Sequence, residues 1–549
     1  MNVPIELRRR TRAWIADDPD EETRAELADL LSLADGGHPA AMADLIDRFD
    51  GRLEFGTAGL RGALAAGPNR MNRVVVTAAA AGLAAYLRET AGSGTVVIGY
   101  DARHKSEVFA RDTAEVMCGA GLDAVVMPRP LPTPLVAFAI RHLGCVAGVM
   151  VTASHNPPQD NGYKVYLGDG SQIVPPADAD ISAKIDAVEA VAEVPRSAGW
   201  TVLGEDIVES YIAAVAALPA SDSARDLTMV YTPLHGVGDE TVEKVLVRAG
   251  FTAPIVVPEQ AVPDADFPTV SFPNPEEPGA IDLAMALAAE NDADIVVAND
   301  PDADRCAVAV STDHGWQMLR GDEVGALLAD HLLRRGVRGV FATTIVSSSL
   351  LGEQARAAGV DFAETLTGFK WIGRVPGLAF GYEEALGYCA APDLVRDKDG
   401  VSALVRVAEL AAELKASGKS LLDRLDEIAA RFGLYATDQL SVRVDDVTRI
   451  GEALERLRET PPSQLGGYDV VQTDDLNEGT DSLPPTEGIR YRLAEGGRVV
   501  VRPSGTEPKL KCYLEVVVPV DDSDVEAARI SAAGRLDAIR GDLAAAAGL

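Results

Sequence analysis

Gly148-Val149-Met150-Val151-Thr152-Ala153-Ser154-His155-Asn156-Pro157 passes from a short apolar run straight into a polar turn, and this transition sets the reading of the whole chain. Short apolar, β-branched runs bounded by turn-forming residues are the pattern of buried strands. Val96-Val97-Ile98-Gly99-Tyr100-Asp101, Met229-Val230-Tyr231, Asp294-Ile295-Val296-Val297 and Val340-Phe341-Ala342-Thr343 repeat the pattern, separated by Ala/Leu/Glu-rich segments of helical period. The alternation predicts α/β units with buried strands. In open α/β sheets ligands gather beyond the carboxyl ends of the strands, so Gly99 to Arg103, the Ser154 turn, Thr232-Pro233-Leu234-His235-Gly236 and Asp300 to Arg305 are the loops expected to meet a ligand.

A chain of 549 residues is too long for one hydrophobic core and predicts roughly three to five domains. Composition shifts near Glu193 to Ser197, Thr312 to Gly315 and Arg431 to Gly433. The expected domains are therefore 1–200, with an N-terminal helical segment and the serine turn; 201–314, with the acidic run; 315–435; and 436–549. In the last, Arg498-Val499-Val500-Val501-Arg502 and Leu510 to Val516 flank a turn before a closing helix, which predicts a smaller α+β domain. The 50 basic and 84 acidic residues leave a formal charge of -34, which repels nucleic acid and anionic lipid. A small anionic substrate then requires locally gathered basic groups. Arg61, Lys164, Arg305, Lys370, Lys398, Arg502, Lys509 and Lys511 all lie in Gly-rich or turn-rich motifs. The five cysteines form no C-x-x-C pair, the first residues are charged, and no apolar run reaches membrane-spanning length. A cytosolic protein is expected.

Taken alone, Ser154 reads first as part of a serine–asparagine turn ended by Pro157-Pro158. Asn161-Gly162-Tyr163-Lys164 alters that reading by returning an ammonium to the neighbourhood, where it can pair with phosphate or exchange a proton. Asp300, Asp302 and Asp304 alternate with Pro301 and Ala303, so an extended loop would place three carboxylates on one side. Hard oxygen ligands completed by a substrate phosphate suit Mg²⁺; a solvated acidic turn is the other reading. Arg502-Pro503-Ser504-Gly505-Thr506 offers a guanidinium, two hydroxyls and a glycine amide, a set of phosphate donors, and reads equally as a hairpin turn. Glu383-Glu384 follows a Phe380-Gly381-Tyr382 strand end, with Thr367-Gly368-Phe369-Lys370-Trp371 and Asp397-Lys398-Asp399-Gly400 on either side in sequence. Carboxylates accept sugar hydroxyls; each segment alone could be a surface loop.

Together, and in this order, these runs resemble the α-D-phosphohexomutases, the phosphoglucomutases and phosphomannomutases, from Phe55-Gly56-Thr57-Ala58-Gly59-Leu60-Arg61-Gly62 to the Arg502 loop. The resemblance implies three related α/β domains with mixed sheets between helices, plus a C-terminal α+β domain of TATA-binding-protein-like topology, around a central cleft. It implies that Ser154 is phosphorylated and that Asp300, Asp302 and Asp304, with Ser154, bind one Mg²⁺ per chain. Arg61, Lys164 and Arg305 would line the transfer site, with Lys398 a candidate acid/base. His155, Gly368, Lys370 and Glu383 would meet the sugar, and Arg502, Ser504, Gly505 and Thr506 the phosphate that is not reacting. The implied reaction moves a phosphoryl group between C1 and C6 of a glucose or mannose phosphate through a 1,6-bisphosphate, which also serves as activator, in a monomer or homodimer. Tyr382-Glu383-Glu384-Ala385 stands where the family commonly has Gly-Glu-x-Ser. That departure resembles the branch containing the second type of animal phosphoglucomutase, with phosphopentomutases and a glucose-1,6-bisphosphate synthase. A sugar-phosphate-binding regulator without activity is the remaining alternative, disfavoured by the intact Ser154, aspartates and Arg502.

Overall fold

The computed structural model describes residues 3–56, 58–444, 446, 448–479, 483–504, 509–521 and 524–548. The chain forms two compact units, residues 1–318 with 387–413, and residues 319–386 with 414–549. Among the described residues no helix is long and apolar enough to cross a membrane.

The first unit opens with three helices, Ile5–Asp17, Glu21–Asp35 and Pro39–Phe49, packed through Leu27, Leu31, Ala34, Leu45 and Phe49. The Asp20 side chain caps the second by accepting from the Glu22 amide, and Pro39 starts the third; both are favoured helix-start chemistries. A six-stranded sheet follows in the spatial order Leu60–Ala63, Asp160–Leu167, Ala147–Val151, Thr95–Tyr100, Asp123–Val126, Thr201–Val202. Its last four strands are parallel and the first two antiparallel. Successive strand side chains point to opposite faces. Val96, Ile98 and Tyr100 accordingly pack with Leu83 and Phe109 of helices Arg73–Thr90 and Ser106–Gly119. Gly99, between them, lies close beneath Val136 of helix Thr133–Leu143, where a Cβ would come within 2.3 Å. A sheet covered on both faces requires the near-continuous apolar strands seen in the sequence.

A second sheet in this unit runs Gly315–Met318, Ala307–Thr312, Ile295–Ala298, Met229–Thr232, Ile255–Val256, with the last three strands parallel. The chain returns to the unit at Gly387, which bridges to Arg305. It then runs through Asp397-Lys398-Asp399 into the helix Gly400–Ala416. Tyr211 donates to Asp399 (2.7 Å), and Glu409 accepts from the Ala220 amide (2.7 Å) and the Ser223 hydroxyl (2.8 Å). These bonds fix the returning segment.

In the second unit the strand Val340–Thr344 lies between Asp361–Thr365 and Leu378–Glu383, parallel to both. Helices Gly321–Arg334 and Leu350–Ala358 accompany them. A six-stranded antiparallel sheet follows in the order Leu434–Arg443, Lys509–Val518, Arg498–Pro503, Ile489–Leu493, Tyr468–Asp475, Gln464–Leu465. Helices Thr448–Glu459 and Val525–Ala547 cover one face through Leu454, Leu457, Ile539 and Leu543. Residues of the opposite face, Val500 and Tyr513, join Leu476 and Leu483 against Ile345, Val346 and Leu366, with Trp371 at the margin.

Candidate active site

Ser154 lies in the turn that leaves strand Ala147–Val151, and its backbone takes the left-handed conformation at φ 52°. The Thr152 hydroxyl accepts from the Ser154 amide (2.8 Å), which starts the turn in the manner expected of a threonine. The Ser154 hydroxyl donates to Asp300 Oδ2 at 2.7 Å and lies 3.2 Å from His155 Nδ1. Two runs far apart in sequence thus meet at one buried point. Their convergence differs from the extended arrangement expected for the acidic run: Ala303 is left-handed, at φ 51°, and the Ala303 amide closes a turn on the Asp300 carbonyl (2.8 Å). The turn, not strand alternation, gathers the three carboxylates.

Asp300, Asp302 and Asp304 are fully buried, and each contributes one carboxylate oxygen to a group lying within 4.8 Å of one another. Lys164, on strand Asp160–Leu167, donates to Asp302 Oδ2 (2.7 Å) and Asp304 Oδ2 (2.9 Å), and Lys398 Nζ lies 3.4 Å from the same Asp304 oxygen. Arg305 Nε is 3.9 Å from Asp300 Oδ2 and from Asp304 Oδ1. Arg61 donates to Asn156 Oδ1 (3.3 Å) from the neighbouring strand. Gly59 makes that strand's approach possible, since a Cβ there would lie 1.9 Å from the Tyr163 carbonyl oxygen. Gly236 does the same for the acidic turn, where a Cβ would lie 2.3 Å from Pro301 Cα.

Burial, and the adjacent charges of Asp302 and Asp304, push Asp300 well above the usual carboxylate range. Burial also opposes ionisation of Asp302 and Asp304, yet Lys164, joined at Asp304 by Lys398 and Arg305, holds both below that range. Lys164 is raised despite its own burial, because those two carboxylates face it. His155 is pushed well below its ordinary value by burial and then by Arg305 and Arg61, so its ring is neutral at pH 7. Asp302 Oδ1 and Asp304 Oδ1 are buried without a hydrogen-bond partner. Buried carboxylate oxygens normally have partners, and the pair beside a mutually repelling Asp300 is suited to a hard divalent cation. The acidic triad is a candidate metal site.

The glutamate pair and the Arg502 hairpin belong to the second unit. Glu383 ends strand Leu378–Glu383, while Glu384 accepts from the Ser347 hydroxyl (2.9 Å) and returns its amide to the same oxygen (3.1 Å). Glu384 therefore braces the loop that presents Glu383. Tyr513 is held well above its ordinary range by burial first; Glu384 and Glu383 add to the shift and Arg502 opposes it. The two glutamates and Arg502 thus border one phenol. Gly368 adopts φ 104° before the short helix Phe369–Ile372, and Lys370 Nζ lies 6.0 Å from the Trp371 ring centre. The Ser504 amide donates to the Lys509 carbonyl (2.8 Å) and closes the base of the hairpin. Gly505 and Thr506 lie outside the described residues.

Some contributors had no signal in local sequence. Thr133 opens a helix, donates its hydroxyl to Asp302 Oδ2 (2.6 Å) and donates its amide to the Asp302 carbonyl (2.9 Å). Asp397 accepts from Tyr166 and Gln172 (2.8 Å each) beside Lys398. The Arg103 guanidinium lies under the Ser154 turn. The only hint was the position of Arg103 just beyond a strand end.

A buried serine against an acid triad, ringed by cations, is the equipment of a phosphotransferase. Models of the phosphoglucomutase/phosphomannomutase family match in series: α/β/α domain I over residues 52–192, domain II over 209–315, domain III over 320–432 and the C-terminal domain over 440–533. A Haemophilus influenzae protein named a probable phosphomannomutase is 50% identical, covering 81% of this chain and 93% of its own. Human phosphopentomutase is 35% identical over 95% of this chain and 93% of its own. The crystal structure of a phosphoglucomutase/phosphomannomutase family protein from Burkholderia thailandensis shares the fold with a TM-score of 0.67 at 21% identity, covering 90% of this chain and 97% of that one. The chain belongs to the phosphoglucomutase/phosphomannomutase family, and its activity is that family's intramolecular phosphoryl transfer.

Proposed function

We propose that the protein interconverts the 1- and 6-phosphates of a hexose, glucose or mannose, through phospho-Ser154 and a sugar 1,6-bisphosphate. The observation carrying this reading is the 2.7 Å bond from the Ser154 hydroxyl to Asp300. Ser154, Asp300, Asp302 and Asp304 would hold Mg²⁺, which when bound supplies charge neutralisation to the transferred group. The phosphorus–oxygen bond to Ser154 breaks as a sugar hydroxyl oxygen attacks, with Arg61 and Arg305 placed to pair with the phosphoryl oxygens. The hydroxyl proton passes to a buried lysine. An ammonium has no lone pair to take it, so the acceptor, Lys164 or Lys398, would act in its neutral form; their Nζ atoms lie 2.9 and 3.4 Å from Asp304 Oδ2. Glu383 would receive sugar hydroxyls, with His155, Gly368 and Lys370 as further contacts. Arg502, Ser504, Gly505 and Thr506 would hold the idle phosphate. A pocket accepting either terminal phosphate lets the bisphosphate return in the opposite orientation and rephosphorylate Ser154. Five free cysteines fit a cytosolic protein.

A second reading, a pentose-phosphate mutase, is favoured by the 35% identity to human phosphopentomutase and by Ala385 in place of a sugar-binding serine. Glucose, mannose and ribose 1-phosphates, each assayed with Mg²⁺ and a trace of the matching bisphosphate, decide between the readings by relative kcat/KM. A bisphosphate synthase would instead need an added acyl-phosphate donor. Ser154→Ala should abolish isomerisation while sugar-phosphate binding persists, and mass measurement of the parent Ser154 peptide should show one added phosphoryl group. Undiminished isomerisation by Ser154→Ala would refute the phosphoserine route.

A further inference from the structure

Left-handed backbone is costly for residues other than glycine and gathers at functional sites. Of the nine such residues among those described, six, namely Lys105, Ser154, Leu234, His235, Phe267 and Ala303, lie in the loops around Ser154 and the acidic turn. The Ser154 turn is held in this conformation by one side chain from elsewhere. Arg103 Nη2 donates to the carbonyls of Ser154 (2.7 Å) and Asn156 (2.5 Å), and Nη1 donates to those of Pro157 (2.8 Å) and Asp160 (3.1 Å). Four carbonyl dipoles converging on one point repel each other unless a multi-donor cation sits there, and guanidinium is the side chain with that donor geometry. Asp101 balances the charge, with Oδ2 3.5 Å from Arg103 Nε and Oδ1 accepting the Arg103 amide (3.0 Å) and the Ser106 hydroxyl (2.6 Å). The Phe267 ring, buried and itself left-handed at φ 45°, covers the guanidinium at 4.8 Å. The Arg103 side chain is 1% exposed.

We propose that Arg103 is the positioning residue of the phosphoryl carrier. It fixes the Ser154 turn so that the hydroxyl faces the acid triad, and thereby sets the rate of transfer in both directions without touching the sugar. The proposal rests on the phosphoserine reading above.

The test compares Arg103→Ala and Arg103→Lys with Ser154→Ala. Misplacing a reacting group by about 1 Å costs about 100-fold in rate, so both Arg103 variants should lose about that factor in kcat, with KM for the sugar 1-phosphate changed by less than about threefold. Methylguanidinium at millimolar concentration should restore part of the kcat of Arg103→Ala, which a merely structural defect would not allow. The role is overturned if kcat stays within about threefold of the parent, if the loss lies in KM, or if folded Arg103→Ala gains nothing from methylguanidinium. Should Arg103→Ala not fold, Arg103→Lys decides by the kcat and KM split alone. Isomerisation by Ser154→Ala would instead remove the phosphoserine reading, whereas an inactive Ser154→Ala beside a fully active Arg103→Lys would remove only the role of Arg103.

Discussion

Lys164 neutralises two carboxylates that are fully buried, and is itself nearly so. Removing one member of a buried ion cluster leaves charge uncompensated, at a cost of about 3–5 kcal/mol. Lys164→Met should therefore lower the thermal midpoint in EDTA. Added Mg²⁺ should raise that midpoint further than it does in the parent, because the triad then has one cation fewer; calorimetry with and without metal reads both. Asp322, in the second unit, shows the opposite electrostatics. Burial, with Glu384 and Glu515 nearby, pushes it up to about 7, although the Ser348 amide donates to it (2.7 Å). Between about pH 4 and 7 the folded protein keeps a proton there that the unfolded chain releases, so stability falls as pH rises through that window, by up to about 1.4 kcal/mol per pH unit. Urea titrations from pH 4.5 to 7.5 should show this slope, and Asp322→Asn should flatten it.

Among the elements of the second unit, strand Arg498–Pro503 is tied to the loop after Val340–Thr344 by buried charge as well as by apolar packing. Arg498 reaches Glu364 (3.1 Å), Glu515 (3.0 Å) and the Ser347 carbonyl, while Glu515 accepts from the Ser348 hydroxyl and the Ser349 amide (2.9 Å each). Arg498→Met or Glu515→Gln should each destabilise this unit by about 3–5 kcal/mol, and the double variant by less than the sum. Trp371 fluorescence, with Trp14, Trp200 and Trp316 replaced by Phe, follows this unit alone. None of this network was legible in the sequence, because Arg498 and Glu515 read only as residues of alternating strands. The strands themselves were legible, since Ala147–Val151, Met229–Thr232 and Val340–Thr344 carry their burial in composition. The Ser154 turn and the acidic run were also legible, because reactive side chains crowd into a few positions. Arg103 was legible only as the end of a loop expected to meet a ligand, its bonds to the Ser154 turn were not, and Thr133 gave no sign at all. Their partners lie 51 and 169 residues away, and no local pattern encodes such a meeting.

At the scale of the molecule, a chain of net charge -34 collects Arg61, Lys164, Arg305 and Lys398 around a single buried triad, which lets an acidic protein receive an anion. The last of these cations arrives on the returning segment Gly387–Glu413. A chain cut after residue 318 would lose Lys398 together with the partners of Tyr211 and Ala220. Circular dichroism and limited proteolysis of that fragment should report a loosely folded, protease-sensitive product, in contrast to the intact chain. The same return orders events during synthesis. The aspartate turn leaves the ribosome well before Lys398, with all of 319–386 translated in between, and at roughly 5–20 residues per second the interval lasts several seconds. For that time the nascent acids lack one of their counter-charges, so this unit reaches its final form only after part of the other has already emerged.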